Sequence, residues 1–262
     1  MWKQLFLSFI LSLFSSFVVF SQEPEVFVPA DTSRAIILMK DVKRLITSNE
    51  MSQALENIRT ARDIYSQILG EYDQNVAQTF HWEALHSYYN GDPDKAIANW
   101  KDAIEVWDRS LGANNLESSK AMNNIGGVLF EKGVYEEALQ YMKKSLDVRL
   151  NVYGENSPEN IDYVYNYAVM CRELNYYEEA LENQLLTIDL YKKHKENDPN
   201  IVESYGEVAT IYIRKEMYKE AKEYLDEGLI LGERFQDAIA LSKMYETTGF
   251  YYIYLKLSLI HI

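Results

Sequence analysis

The sequence predicts an all-α chain, an α-solenoid of antiparallel helix pairs, and three observations carry that expectation. Ala54, Ala96, Ala138, Ala180 and Ala221, each opening an Ala-Leu, Ala-Ile or Ala-Lys step and the last four following a charged pair, recur at spacings of 42, 42, 42 and 41 residues. A fixed period of this length is the signature of stacked supersecondary units. Leu69-Gly70, Leu111-Gly112 and Tyr153-Gly154 keep the same 42-residue register. Only 11 Gly and 5 Pro in 262 residues leave little punctuation for a many-stranded sandwich and favour long helices.

From the N-terminus, residues 1–21 carry Lys3, an apolar run from Leu5 to Phe20 broken only by Ser, and small Ser21 before polar Gln22. This is the layout of a cleaved secretory signal peptide rather than a membrane anchor, because a bilayer span needs ~20 apolar residues. Residues 22–30 read as a linker. The array follows as units of about 31–71, 72–114, 115–156, 157–198 and 199–234, with a partial unit over 235–256. In each, apolar residues at i, i+3, i+4 and i+7 predict two amphipathic helices. The third unit shows both stripes: Met122, Ile125, Gly126 and Leu129, then Tyr135, Ala138, Leu139, Met142, Leu146 and Val148. Small residues stand 12 positions before the last four landmark alanines, at Ala84, Gly126, Ala168 and Ala209, where paired helices must approach closely. Gly70, Gly112 and Gly154 are expected to end second helices in the left-handed conformation. Asn49, Gly91 and Gly133 mark turns between paired helices, and Tyr135, Tyr177 and Tyr218 precede their alanines by three. The first unit is degenerate, with Leu38 where a small residue is expected, as a terminal cap can be. In the partial unit Gly249 and Tyr251 fit the turn, but Tyr254 takes the alanine position. Residues 257–262 read as one frame of a library-tagging transposon end, so they are expected to be foreign and the natural chain to continue.

Composition narrows the function. Forty acidic side chains against 26 basic ones give a formal charge of −14, and losing Lys3 with the signal makes it 25 − 40 = −15. A nucleic-acid partner is excluded, since phosphate binding needs clustered Lys and Arg. No phosphate-cradling glycine motif is present, and Asn197-Asp198-Pro199-Asn200 lacks the Gly and terminal Glu of a calcium loop, reading as a turn with an N-cap. His81 and His86 are five apart, about 140° around a helix, so they do not converge on a metal. Cys171, the lone cysteine, falls on an inward apolar position and is expected to be a buried, inert thiol. These readings point to a non-enzymatic chain with no cofactor and no metal.

The stretch from Met122 through Asn123-Asn124-Ile125-Gly126-Gly127 to Tyr135-Glu136-Glu137-Ala138-Leu139, continued from Asp147 to Pro158, resembles the tetratricopeptide repeat, in the long form similar to that of kinesin light chains. The likeness covers roughly residues 31–256. It implies a right-handed superhelix whose first helices line a concave groove that binds a peptide or protein segment. In this family the groove positions lie 18, 15, 14, 11, 8 and 7 residues before each landmark alanine. Carried over, they select His81, Tyr88, Asn123, Asn124, Phe130, Tyr165, Asn166, Arg172 and Arg214 as candidate binding residues, with Asn124 and Asn166 at the positions where the family uses Asn to bond a peptide backbone. A bond within the scaffold is the alternative for these two amides, and ordinary packing for the aromatics. The same offsets include Glu131, Glu203 and Glu207. The lysine clamp with which some relatives grip a C-terminal carboxylate is absent, its positions holding His81, Asn123 and Tyr165. The expected function is an exported scaffold, periplasmic or extracellular, for a protein or peptide ligand of basic character. Membrane attachment would come only through an uncleaved signal or a missing C-terminal region. The alternative is the sensory arm of a longer enzyme, a histidine kinase or a caspase-like peptidase.

Overall fold

A computed structural model describes residues 30–260; the signal and most of the linker expected from the sequence lie outside them. Among the described residues eleven α-helices follow a short 3-10 turn at Ala30–Thr32. They are α1 (Ser33–Thr47), α2 (Met51–Leu69), α3 (Gln74–Tyr89), α4 (Pro93–Leu111), α5 (Leu116–Glu131), α6 (Tyr135–Tyr153), α7 (Ile161–Glu173), α8 (Tyr177–His194), α9 (Ile201–Arg214), α10 (Tyr218–Phe235) and α11 (Ala238–Ile260). The chain is an α-solenoid: α1 packs on α2, α3 on α4, α5 on α6, α7 on α8 and α9 on α10, and each pair then stacks on the next.

The landmark alanines explain the register. All five are 0% exposed, because each sits where its helix presses against the preceding one and a larger side chain would push the pair apart. Gly126 obeys the same rule more strictly. A Cβ there would stand 2.5 Å from Met142 Cγ and 3.1 Å from the Ala138 carbonyl oxygen, so α5 and α6 meet with no room for a methyl group.

The turn inside each pair is one motif repeated five times. Asn49, Gly91, Gly133, Asn175 and Glu216 have φ of 62°, 81°, 78°, 63° and 61°. The residue after each donates its N–H back across the helix end, as in Val134 to Leu129 O (2.9 Å) and Tyr176 to Cys171 O (2.8 Å). This is the Schellman closure, in which a left-handed residue lets the orphan carbonyls be satisfied. The sequence pointed to only three of the five. Asn175 and Glu216 carry Cβ atoms at a position that favours glycine, so composition alone hid them. Between pairs the geometry differs from the expectation. Gly70, Gly112 and Gly154 have positive φ (95°, 87°, 78°) but extended ψ (158°, 156°, 155°), so they lie outside the left-handed helical region expected of them. The Asn197–Asn200 turn forms through Asp198, whose carboxylate accepts from the Asn200 N–H at 3.0 Å. Asn200 itself makes no side-chain cap.

The turn expected at Gly249 and Tyr251 is absent. α11 runs unbroken to Ile260, 23 residues against 13 to 16 for α3, α5, α7 and α9. Folding back there would have placed Tyr254 in a slot that elsewhere admits only alanine.

Three apolar clusters form the core. The first gathers Val42, Leu45, Ile46, Ala54 and Ile58 between α1 and α2; the second runs from α1 to α9 and includes Trp100 and Trp107; the third joins α7 through α11. One ionic pin crosses the stack. Glu83 of α3, its side chain only 4% exposed, lies 2.7 Å from Arg62 and 3.1 Å from Arg59 of α2, and 3.8 Å from Lys95 of α4. Burial pushes its carboxyl up, yet the two arginines outweigh that and hold it below the usual carboxylate range.

Candidate protein-binding face

Side chains of the first helices touch across units, α3 with α5 and α7 with α9. Tyr88 of α3 donates to Glu131 of α5 at 2.8 Å. Tyr165 of α7 donates to Glu203 of α9 at 3.4 Å, and Arg172 of α7 donates from Nε to Glu207 of α9 at 2.5 Å. Arg172 also pairs with Glu173 at 2.6 Å, and Lys243 of α11 closes the ladder onto Glu203. Burial works against the Arg172 charge, but Glu207 and Glu173 more than restore it and raise its pKa. Burial pushes the Glu131 carboxyl up, with the Tyr88 hydrogen bond working against that rise.

The candidate residues fall into three groups. Tyr88, Tyr165 and Arg172 are brought together with acids of the following unit, as above. Arg214 is exposed at the end of α9, while Asn124 and Phe130 are half-buried, Phe130 lying 5.3 Å from the Tyr135 ring. The third group is turned further in. Asn123 is 5% and Asn166 4% exposed, and the Asn166 Nδ2 is buried with no hydrogen-bond partner. His81 packs against Trp82 and against Trp100 and Trp107 of α4, with ring centroids 6.4, 6.5 and 5.7 Å away. Its Nδ1 is buried without a partner. Desolvation among these rings, reinforced by the nearby Lys120 charge, lowers its pKa to about 4, so the imidazole is neutral near pH 7.

The acids were within reach of sequence reasoning as groove positions but not as partners. The signal was spacing: Arg172 and Glu207 are 35 apart, Tyr165 and Glu203 38, Tyr88 and Glu131 43, each about one unit. Lys243 was missed because its unit is incomplete. Cys171 is fully buried, and burial pushes its thiol up to about 12. His86 is engaged by the Met51 carbonyl at 2.9 Å. An open recess of about 530 Å³ lies at the α2–α3 turn, lined by Leu69 to Gln74, Ser110 and Leu111, none of them a groove position.

A stack of helix pairs with this turn and this small-residue code defines a class of helical repeat proteins. The tetratricopeptide repeat profile matches residues 75–151 and 117–193, and a second profile of the same repeat matches 202–229. The chain belongs to the tetratricopeptide repeat family. Among solved structures it is similar to the kinesin light chain-like repeats of Podosopora anserina, with TM-score 0.67 and 15% identity over 80% of this chain and 100% of that one. It is also similar to the apo form of RapI, with TM-score 0.71 and 16% identity over 83% and 77% of the two chains. Aspartyl phosphate phosphatase F from Bacillus subtilis aligns with TM-score 0.60 and 15% identity over 87% of this chain and 60% of that one. At these identities the likeness is one of fold. No curated protein sequence matches the chain.

Proposed function

We propose that this repeat protein is a non-enzymatic scaffold that holds an extended peptide or protein segment of basic character along the face of α3, α5, α7 and α9. The observation that carries the reading is the Asn166 amide, a buried donor with no acceptor at a position of that face. An orphan of this kind costs about 1–3 kcal/mol. Meeting a peptide carbonyl requires this inward-turned side chain to rotate out of the scaffold, and an amide that donates and accepts then suits a peptide unit. The acidic balance of the chain as a whole, −14, supports a basic ligand; on the face itself Glu207 and Glu173 are paired with Arg172 and Glu203 with Lys243. The apolar run at residues 5–20 supports export, so that the ligand would be met outside the cytoplasm.

The test uses a random peptide library displayed on phage and selected against the purified chain. Enriched peptides should carry net positive charge and bind the Asn124→Ala/Asn166→Ala double variant at least tenfold more weakly, with helicity unchanged by circular dichroism. Equal binding by the double variant would remove the groove assignment, and loss of helicity would make both amides scaffold bonds.

A further inference from the structure

In the fourth unit the groove acid Glu173 is neutralised from within, by its chain neighbour Arg172 at 2.6 Å. The third unit carries the same acid 42 positions earlier, Glu131, but Phe130 stands where Arg172 does. α5 accordingly has no basic residue in its last turn, whereas α7 and α9 have Arg172 and Arg214. The nearby cations are turned elsewhere: Lys132 pairs with Asp94, and Lys95 lies 3.8 Å from Glu83. Among the described residues no cation pairs with Glu131. Its carboxylate accepts from the Tyr88 hydroxyl at Oε1, and that bond alone opposes the burial that raises it.

The surroundings suit a cation carried on an alkyl stem. Tyr88 and Tyr89 meet edge to face at 5.6 Å on α3, and Phe130 of α5 lies 5.3 Å from Tyr135. Tyr89 and Tyr135 remain 41% and 44% exposed. Aromatic faces attract ammonium and guanidinium groups, and the methylenes behind such a group pack on apolar surface. Tyr89 and Glu131 are also the last residues of α3 and α5, where the carbonyl ends of the helices favour positive charge.

We infer that Glu131 is the anchoring subsite for one Lys or Arg side chain of the bound segment, its charge on the second carboxylate oxygen and its methylenes against Tyr89 and Tyr135. This rests on the reading of the face as a ligand groove and adds a position to it. A basic residue of the ligand is needed opposite the end of α5, whereas along α7 and α9 Glu173, Glu207 and Glu203 already hold cations of the chain itself.

The probe is Nα-acetyl-arginine N-methylamide, with the citrulline analogue as its uncharged twin, each titrated into the purified chain while glutamate carboxyls are followed by carbon-detected NMR. Saturable shifts are expected at Glu131, with the arginine probe binding about fivefold more tightly than the citrulline one and lowering the Glu131 pKa when bound. Glu131→Gln keeps an oxygen for Tyr88 and should abolish that preference with helicity unchanged. Tyr89→Leu should weaken the arginine probe about twofold while leaving the carboxylate in place. Equal affinity for the two probes overturns the inference, as does arginine binding that persists in Glu131→Gln. The two readings fail separately. Library peptides that depend on Asn124 and Asn166 but are indifferent to Glu131→Gln would sink the subsite alone; arginine binding at Glu131 beside peptides indifferent to both amides would sink the groove assignment and leave the cation site standing.

Discussion

Tyr88 of α3 donates its phenolic hydrogen to Glu131 of α5 across 2.8 Å, although 43 positions separate them. One hydrogen bond thus spans two units on the face proposed to hold the ligand. Burial raises the Glu131 carboxyl and Tyr88 restrains that rise. In Tyr88→Phe the restraint is gone, and the Glu131 pKa should climb further, read directly by carbon-detected titration of its carboxyl. The sign for stability follows. An acid whose folded pKa lies above its unfolded value favours the fold when protonated, so that contribution is complete below the unfolded pKa and is lost as pH rises through the folded one. Tyr88→Phe should therefore lose more stability than the parent between mildly acidic and neutral pH. An unchanged Glu131 titration would show that the hydroxyl does not touch the carboxylate in solution.

His81 should make the chain acid-sensitive. Its pKa is lowered to about 4 by burial among the tryptophans and by Lys120, while in the unfolded chain it titrates near 6.5. Between those values the unfolded state binds more protons, so stability is complete at neutral pH and falls as pH drops from about 6.5 to about 4, by at most ~3 kcal/mol. His81→Phe removes the titrating group. Thermal melts at pH 7 and pH 4.5 should show a smaller drop for this variant than for the parent, and equal drops would mean that His81 is solvated in the folded chain.

Adjacent glycines should respond in opposite senses to the same substitution. Gly127→Ala places its methyl in open space and should stabilise by about 0.5–1 kcal/mol through helix propensity. Gly126→Ala drives a methyl into Met142 and the Ala138 carbonyl and should cost about 1–3 kcal/mol after relaxation. Denaturant midpoints of the two variants bracketing the parent would confirm the close approach of α5 and α6. A stabilised Gly126→Ala would refute it.

The fold was readable because its determinants are periodic and local. Ala96 or Ala138 can be recognised from neighbours within one helix, and the 42-residue register then places every other helix. The face was readable only as positions. That His81 is walled in by Trp100 and Trp107 depends on how far α4 rolls against α3, and nothing in the spacing of residues 81, 100 and 107 encodes that roll. Asn123 and Asn124 differ by one residue, about 100° of helix rotation, which buries the first and leaves the second half-exposed. The continuation of α11 through Gly249 was hidden because glycine permits a turn without requiring one. The deciding fact was steric: Tyr254 cannot occupy an alanine's slot.

The residue pairs joining successive units reach no further along the chain than the 35 to 43 positions from Arg172 to Glu207 and from Tyr88 to Glu131. No part of the molecule has to wait for a distant segment to return before it can pack, the condition that makes folding fast. Each helix pair can close as soon as some forty further residues have left the ribosome. The array can then be laid down in the order of synthesis, with the growing end as the one surface still open to mispairing at any moment.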